Sequence, residues 1–217
     1  MKTFVACALA VLVAAPLAAQ TRRPAFDDTP AFSLRPFFVA TGERVAAATT
    51  FNAAFGQSME PFLGAGAQLA LRNGLFVEVG VSRFRKSGQR AFVNNGQTFQ
   101  LGIPLTATLL PVEATAGYRF GAAASRRMVP YVGAGVGRYS YQEVGDFAAA
   151  GDNVDTHHSG YLAVGGLEFR VHRWIGLAVD AQYTHVAGIL GEGGVSKDAG
   201  ETDLGGIAAR FKVLVGR

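Results

Sequence analysis

Along most of this chain, apolar and polar residues alternate one by one, and the alternating runs are cut by clusters of Gly, Asn, Asp and Ser. Such alternation sets one face of a β-strand against an apolar phase and the other against a polar one. In WIGLAVDAQYTHV, 174–186, Ile175, Leu177, Val179, Ala181 and Tyr183 share one face. Gly176, Ala178, Asp180, Gln182 and Thr184 share the other. Leu75, Val77, Val79 and Val81 likewise oppose Glu78, Gly80 and Ser82, and Leu167, Phe169 and Val171 oppose Glu168 and Arg170. Ile207, Ala209, Phe211 and Val213 alternate with Ala208, Arg210 and Lys212. The pattern predicts eight strands, at roughly 32–41, 59–72, 75–85, 99–120, 129–142, 159–171, 174–186 and 202–215. Pro36 makes the first irregular, and Pro104 with Pro111 predicts a bend, a bulge or a partial loop in the fourth.

The connections alternate in length. Those at 42–58, 86–98, 143–158 and 187–201 are long; those at Asn73-Gly74, 121–128 and His172-Arg173 are short, and Asn-Gly is a strong hairpin signal. A soluble sandwich has no reason to place every long connection at one end, whereas a barrel inserted from one side of a membrane does. Phe84, Phe99, Tyr139, Tyr141, Tyr161 and Tyr183 fall near the long-loop ends of their strands. Tyr118, Phe120, Tyr131, Trp174 and Phe211 fall near the short-turn ends. Two aromatic bands suit the two interfaces of a membrane barrel.

The N-terminus supplies the route to such a membrane. MKTFVACALAVLVAAPLAAQ has a basic Lys2, an apolar stretch and small residues at Ala18 and Ala19, the layout of a signal peptide (1–19) cut before Gln20. The only cysteine, Cys7, leaves with it, so an exported chain without disulfides needs a large core or another solvent. Residues 20–31 are expected as a short periplasmic segment and 32–217 as the barrel. Net charge is +4, but no basic run exceeds two residues, which argues against nucleic acid as a partner.

Signal peptide, eight strands, PYVGAGVG after a short turn and a closing strand with Phe211 together resemble the OmpA/OmpW-type outer-membrane β-barrel superfamily, which includes the opacity-like proteins. The resemblance implies an all-β, eight-stranded antiparallel up-and-down transmembrane barrel with short periplasmic turns and longer extracellular loops. It implies the outer membrane as location, lipid and lipopolysaccharide as surroundings, the barrel-assembly machinery as a partner during insertion, and a monomer. The expected role is structural, interaction or narrow channel, with no enzymatic activity and no cofactor. One departure is the C-terminus: such barrels usually end on an aromatic residue, whereas this chain ends FKVLVGR, with Phe211 six residues before the end. No peptidoglycan-binding domain is expected after the barrel.

With apolar faces toward lipid, the alternate positions point inward. That assigns Arg72, Glu78, Glu113, Arg119, Glu168, Arg170, Asp180, Arg210 and Lys212 to a lumen charge network. Buried charges demand partners, and a barrel of this size is just wide enough for side chains to fill it. The network is then a plug that fixes the barrel's shape, or a gate in which exchanged partners open a conduit.

Other candidates are weaker. GDNVDTHHSG, 151–160, carries Asp152, Asn153, Asp155, His157 and His158 without calcium-loop or zinc spacing, so it reads as a solvated loop. His157, His158 and Ser159 invite a lipid-modifying hydrolase, but contiguous residues in a loop do not make a base held against a hydroxyl with an orienting acid. An exported lipocalin-like carrier is the other rival, and it needs the apolar face inward. Loop 42–58 is alanine-rich enough for a helical turn at the rim, and 187–201 is glycine-rich. PYVGAGVGRYSY, 130–141, is not a phosphate loop, since Arg138 occupies the last position where GxGxxG needs glycine. Two registers remain: Val132, Ala134 and Val136 toward lipid with the glycines inward, or Tyr131, Tyr139 and Tyr141 toward lipid with the glycines outward. The first is favoured, with Arg138 on the outer face near the rim.

Overall fold

The computed structural model describes residues 31–94, 97–121, 127–145, 153–191 and 194–216; the expected signal peptide and nearly all of segment 20–31 lie outside them. Eight strands follow in order: β1 Phe32–Val45, β2 Met59–Leu71, β3 Leu75–Asn94, β4 Gln97–Arg119, β5 Met128–Gly145, β6 Val154–His172, β7 Ile175–Val186 and β8 Leu204–Val215. Helix α1, Ala48–Phe55, lies between β1 and β2, and α2, Gly194–Ala199, between β7 and β8. Each strand pairs antiparallel with the next, and β8 closes on β1 from Phe37↔Leu214 to Val45↔Gly206. Closure leaves no free edge in the lower wall; beyond Arg83 on β3 and before Tyr161 on β6, each strand pairs on one side only.

The alternation dictates which way the wall faces. Val77, Val79, Val132, Val136, Val179 and Ile207 are all 50% exposed or more on the outside, while Phe76, Glu78, Asp180 and Lys212 are buried inside. Strands of ten or so residues, tilted, suffice to cross a bilayer core. No helix of the described residues is long and apolar enough to cross a membrane, which says nothing about strands.

The turns and prolines fit this wall. Gly74 has φ +98° and closes the β2–β3 turn, with its N–H donating to the Leu71 carbonyl at 3.0 Å. Pro36 lies one residue before the β1–β8 ladder begins, so no donor is missed there. The β3–β4 ladder passes from Val81↔Val112 to Phe84↔Leu109 without pairing Leu110 or Pro111, and its register then shifts between Gln89 and Ala91, beside Pro104. The prolines therefore interrupt hydrogen bonds without ending β4.

Two expectations change at the long-loop end. Segment 86–98 is not a loop: β3 runs to Asn94 and β4 starts at Gln97. Residues 143–145 and 154–158 are strand as well. β3 to β6 thus rise beyond the apolar belt. There Arg83, Arg85, Arg138 and His157 point outward and exposed, so the apolar–polar contrast that marks the lower wall disappears.

Inside this raised wall sits a plug. Phe51 of α1 packs against Phe84 and Phe55, with Phe62, Leu109, Tyr139, Tyr141, Ile189 and Leu204 in the same buried cluster. Helix α1 has Ala47 at its N-cap and no capping side chain of its own; Gly56, at φ +75°, ends it in the left-handed conformation.

Candidate functional site

The lumen is where the chain places most of its buried chemistry. Arg35 of β1 crosses it to Glu168 of β6, donating from Nη2 to Oε1 at 2.7 Å and from Nη1 to Oε2 at 3.0 Å. Arg119 of β4 donates from Nη2 to both oxygens of the same carboxylate, at 3.1 and 3.0 Å. Arg35 Nη1 also reaches Gln68 Oε1 of β2 at 3.2 Å, and Gln68 Nε2 donates to Glu78 Oε2 of β3 at 3.1 Å. Glu78 pairs with Lys212 of β8, whose ammonium lies 3.5 Å from Asp180 of β7. Asp180 accepts from Arg210 and from the Tyr131 hydroxyl of β5.

Followed from Arg119 to Tyr131, these contacts form one continuous relay with a side chain from every strand. The ties β1–β6, β4–β6, β5–β7 and β3–β8 join strands that are not neighbours in the wall, and Gln68 links β1 to β3 through β2, which fixes the barrel's section. The ties are well buried: Arg35, Gln68, Glu78, Arg119, Glu168, Asp180, Arg210 and Lys212 are all 9% exposed or less. Lys212 Nζ also sits 5.2 Å from the Phe37 ring centroid, adding a cation–π contact.

Above the relay, Glu113 accepts from Tyr139 Oη at 2.8 Å and from Gln182 Nε2 at 3.0 Å. A chamber of about 40 Å³ remains there, bordered by Glu43, Glu113, Ser82, Gln182 and Arg210. That is room for a few waters and no more, which suits the Gln182 Oε1 atom that no protein donor reaches. Phe62, Leu109, Tyr139 and Leu204 of the plug cluster line the chamber toward the long-loop end. The plug is latched by Glu201, whose carboxylate accepts the Thr49 and Thr50 backbone N–H groups of α1 at 3.0 and 2.7 Å. Burial alone would raise the pKa of Glu201, but the hydrogen bonds from Thr50 and Thr49 outweigh it and hold the carboxyl below its ordinary value.

Of the residues assigned to the network, Glu78, Arg119, Glu168, Asp180, Arg210 and Lys212 lie in the relay and Glu113 just above it. Arg170 is half-buried at the short-turn end of β6, where its charge acts on Glu168. Arg72 is corrected: it stands exposed in the β2–β3 turn, because the alternation ends at Leu71. The relay members Arg35 and Gln68 had a readable signal. Arg35 shares parity with Ser33 and Phe37, opposite Leu34 and Phe38, and the irregularity attributed to Pro36 concealed it.

The aromatic bands need more revision. Tyr118, Phe120 and Trp174 are exposed at the short-turn end, and Tyr161 and Tyr183 toward the other. Phe84, Tyr131, Tyr139 and Tyr141 instead face the lumen, 5% exposed or less. Their parity requires it: the three tyrosines share a face with Gly133, Gly135 and Gly137, so the favoured register, glycines inward, itself takes them out of the interfacial bands. The glycines do face inward, and Val132 and Val136 outward. Phe99 lies on the raised part of β4, opposite Phe92, and Phe211 lies midway up the wall opposite Val179.

A family profile described as outer membrane protein beta-barrel domain matches residues 4–207. Among solved structures, the chain is similar to Ail, the attachment invasion locus protein of Yersinia pestis, at TM-score 0.49 and 11% identity over 85% of this chain and 97% of that one. OprG from Pseudomonas aeruginosa gives TM-score 0.49 and 13% identity over 85% and 92%. Neisserial surface protein A gives 0.47 and 12% over 86% and 96%. A search of curated proteins by sequence finds no match.

Proposed function

The chain belongs to the outer membrane protein β-barrel domain family, and on that premise we propose that it is a closed, self-braced barrel of the bacterial outer membrane with a structural or interaction role rather than that of a standing channel. The relay that ties all eight strands across the lumen carries this reading. The apolar plug above it adds a second seal, with a chamber of about 40 Å³ between the two. The outward apolar wall and inward charges oppose a lipocalin-like carrier, which needs the reverse. Lipid and lipopolysaccharide surround the wall, the assembly machinery inserts it, and it stands as a monomer, the β1–β8 pairing closing the wall within the belt. The raised β3–β6 wall and the loops that hold α1 and α2 are the surfaces it presents outside.

Planar-bilayer recording tests this reading. The wild-type protein is expected to give no sustained conductance steps, and a variant lacking the Phe51 side chain, which removes only the outer seal, none either. Stable open-channel steps from wild type would overturn it.

A further inference from the structure

The outer face of the raised wall holds a second cluster of chemistry that the lumen does not use. The β5–β6 register sets Ser140 opposite His157, with Gln142↔Asp155 one pair farther from the membrane and Arg138↔Ser159 one pair nearer. His157 Nδ1 lies 2.9 Å from Ser140 Oγ, and its Nε2 lies 3.6 Å from Asp155 Oδ1. With its proton on Nε2, the side near Asp155, the imidazole aims the Nδ1 lone pair at the hydroxyl; both His157 and Asp155 are exposed at the outer face. Hydroxyl, base and orienting acid are the three parts a serine nucleophile requires, here with the two ring nitrogens exchanged relative to the common template. The serine concerned is Ser140, seventeen residues from His157, and not the adjacent Ser159.

We propose that Ser140, His157 and Asp155 form an esterase site on the outer face, acting on acyl esters presented at the level of the lipid headgroups. The height follows from the strand. The apolar belt on β5 ends at Val136, paired with Tyr161. Ser140 lies four residues beyond, roughly 10 Å above the belt for a strand rising about 3.4 Å per residue and tilted about 40°. Ser140 Oγ attacks the acyl carbonyl carbon while its proton passes to His157 Nδ1. The oxyanion forms beside Arg138 and Ser159, the side-chain donors of the neighbouring pair, since the strands' own N–H groups serve the ladder. Collapse breaks the acyl C–O bond, and the leaving alcohol takes the proton from His157. Water then attacks the acyl-serine, again through His157, and releases the carboxylic acid. The net reaction is ester plus water to alcohol plus acid.

The test uses the full chain folded in detergent micelles and in phospholipid vesicles, with heat-modifiable mobility as the folding control. A fluorophosphonate probe is expected to label Ser140, as mapped by peptide mass spectrometry. Labelling and hydrolysis should vanish in Ser140→Ala and fall about 100-fold or more in His157→Gln. Asp155→Asn should shift the pH profile of hydrolysis, which a merely structural role would not do. Hydrolysis of a soluble p-nitrophenyl ester alone assigns substrates from the medium, and hydrolysis of an ester borne on a vesicle lipid headgroup assigns the membrane. If folded wild type neither takes the label nor exceeds Ser140→Ala on either ester, the proposal is overturned, and the closed-barrel reading stands untouched.

Discussion

Replacing Glu168 by Gln tests the relay at its most loaded point. The carboxylate holds two guanidiniums, with the Arg35 and Arg119 side chains 8% and 6% exposed. Glutamine keeps the shape but removes the charge and turns an amide N–H₂ toward a cation. Breaking a buried pair by removing one partner costs about 3–5 kcal/mol, because the stranded charge stays buried. Two stranded guanidiniums place Glu168→Gln toward the upper end of that range. With a urea slope of about 2 kcal/mol/M, the unfolding midpoint falls by about 2 M. The assay is urea unfolding in lipid vesicles, followed by fluorescence of Trp174, the chain's only tryptophan, and by the heat-modifiable band. Adding Arg119→Gln to Glu168→Gln removes one stranded charge and should recover part of the loss. Lys197→Gln, on the exposed surface of α2, should stay within about 0.5 kcal/mol of wild type. A loss under about 1 kcal/mol for Glu168→Gln, or a double variant no more stable than the single, would refute the bracing role.

Other perturbations separate wall, plug and latch. Phe51→Ala empties the centre of the plug and should cost about 3–5 kcal/mol in the same unfolding assay. Val179→Arg puts a charge midway up the outer wall and should cost about 2–4 kcal/mol in vesicles, with little effect if that face meets water. Gly135→Val should block assembly, read as loss of the heat-modifiable form, because a Cβ there would lie 2.1 Å from the Ala114 carbonyl oxygen. The Glu201 latch has a folded pKa below its ordinary value, so its contribution is present above the unfolded pKa and is lost as pH falls through the folded one. Hydrogen exchange in α1 should accordingly rise at acid pH in wild type and be raised already at neutral pH in Glu201→Gln.

Where one face meets a different medium from the other, the sequence was legible residue by residue. β7 needs only its parity to put Asp180 and Gln182 inside and Val179 and Tyr183 outside. Legibility failed where both faces are polar. Arg83 and Arg85 point outward while Lys86 points inward, so the raised part of β3 carries no contrast and reads as loop. The same loss hid the Ser140–His157 pair, because 143–158 reads as a loop and a loop has no register. Tyr131, Tyr139 and Tyr141 show a different failure: position near a strand end suggested an interface, while parity with the glycines required the lumen. Helix α2 depends on packing against β3 and α1 that no local pattern carries.

The central claim is a wall with lipid outside and a sealed, braced interior. It is tested most directly by spin labels at single cysteines introduced along β7, with Cys7 replaced by serine. In vesicles, labels at 175, 177, 179, 181 and 183 should be relaxed by oxygen and shielded from a water-soluble nickel reagent, while labels at 178, 180 and 182 should be immobile and shielded from both. Nickel access at the even positions would mean an open aqueous lumen, and nickel access at the odd ones a barrel that stands in water; either result contradicts the account.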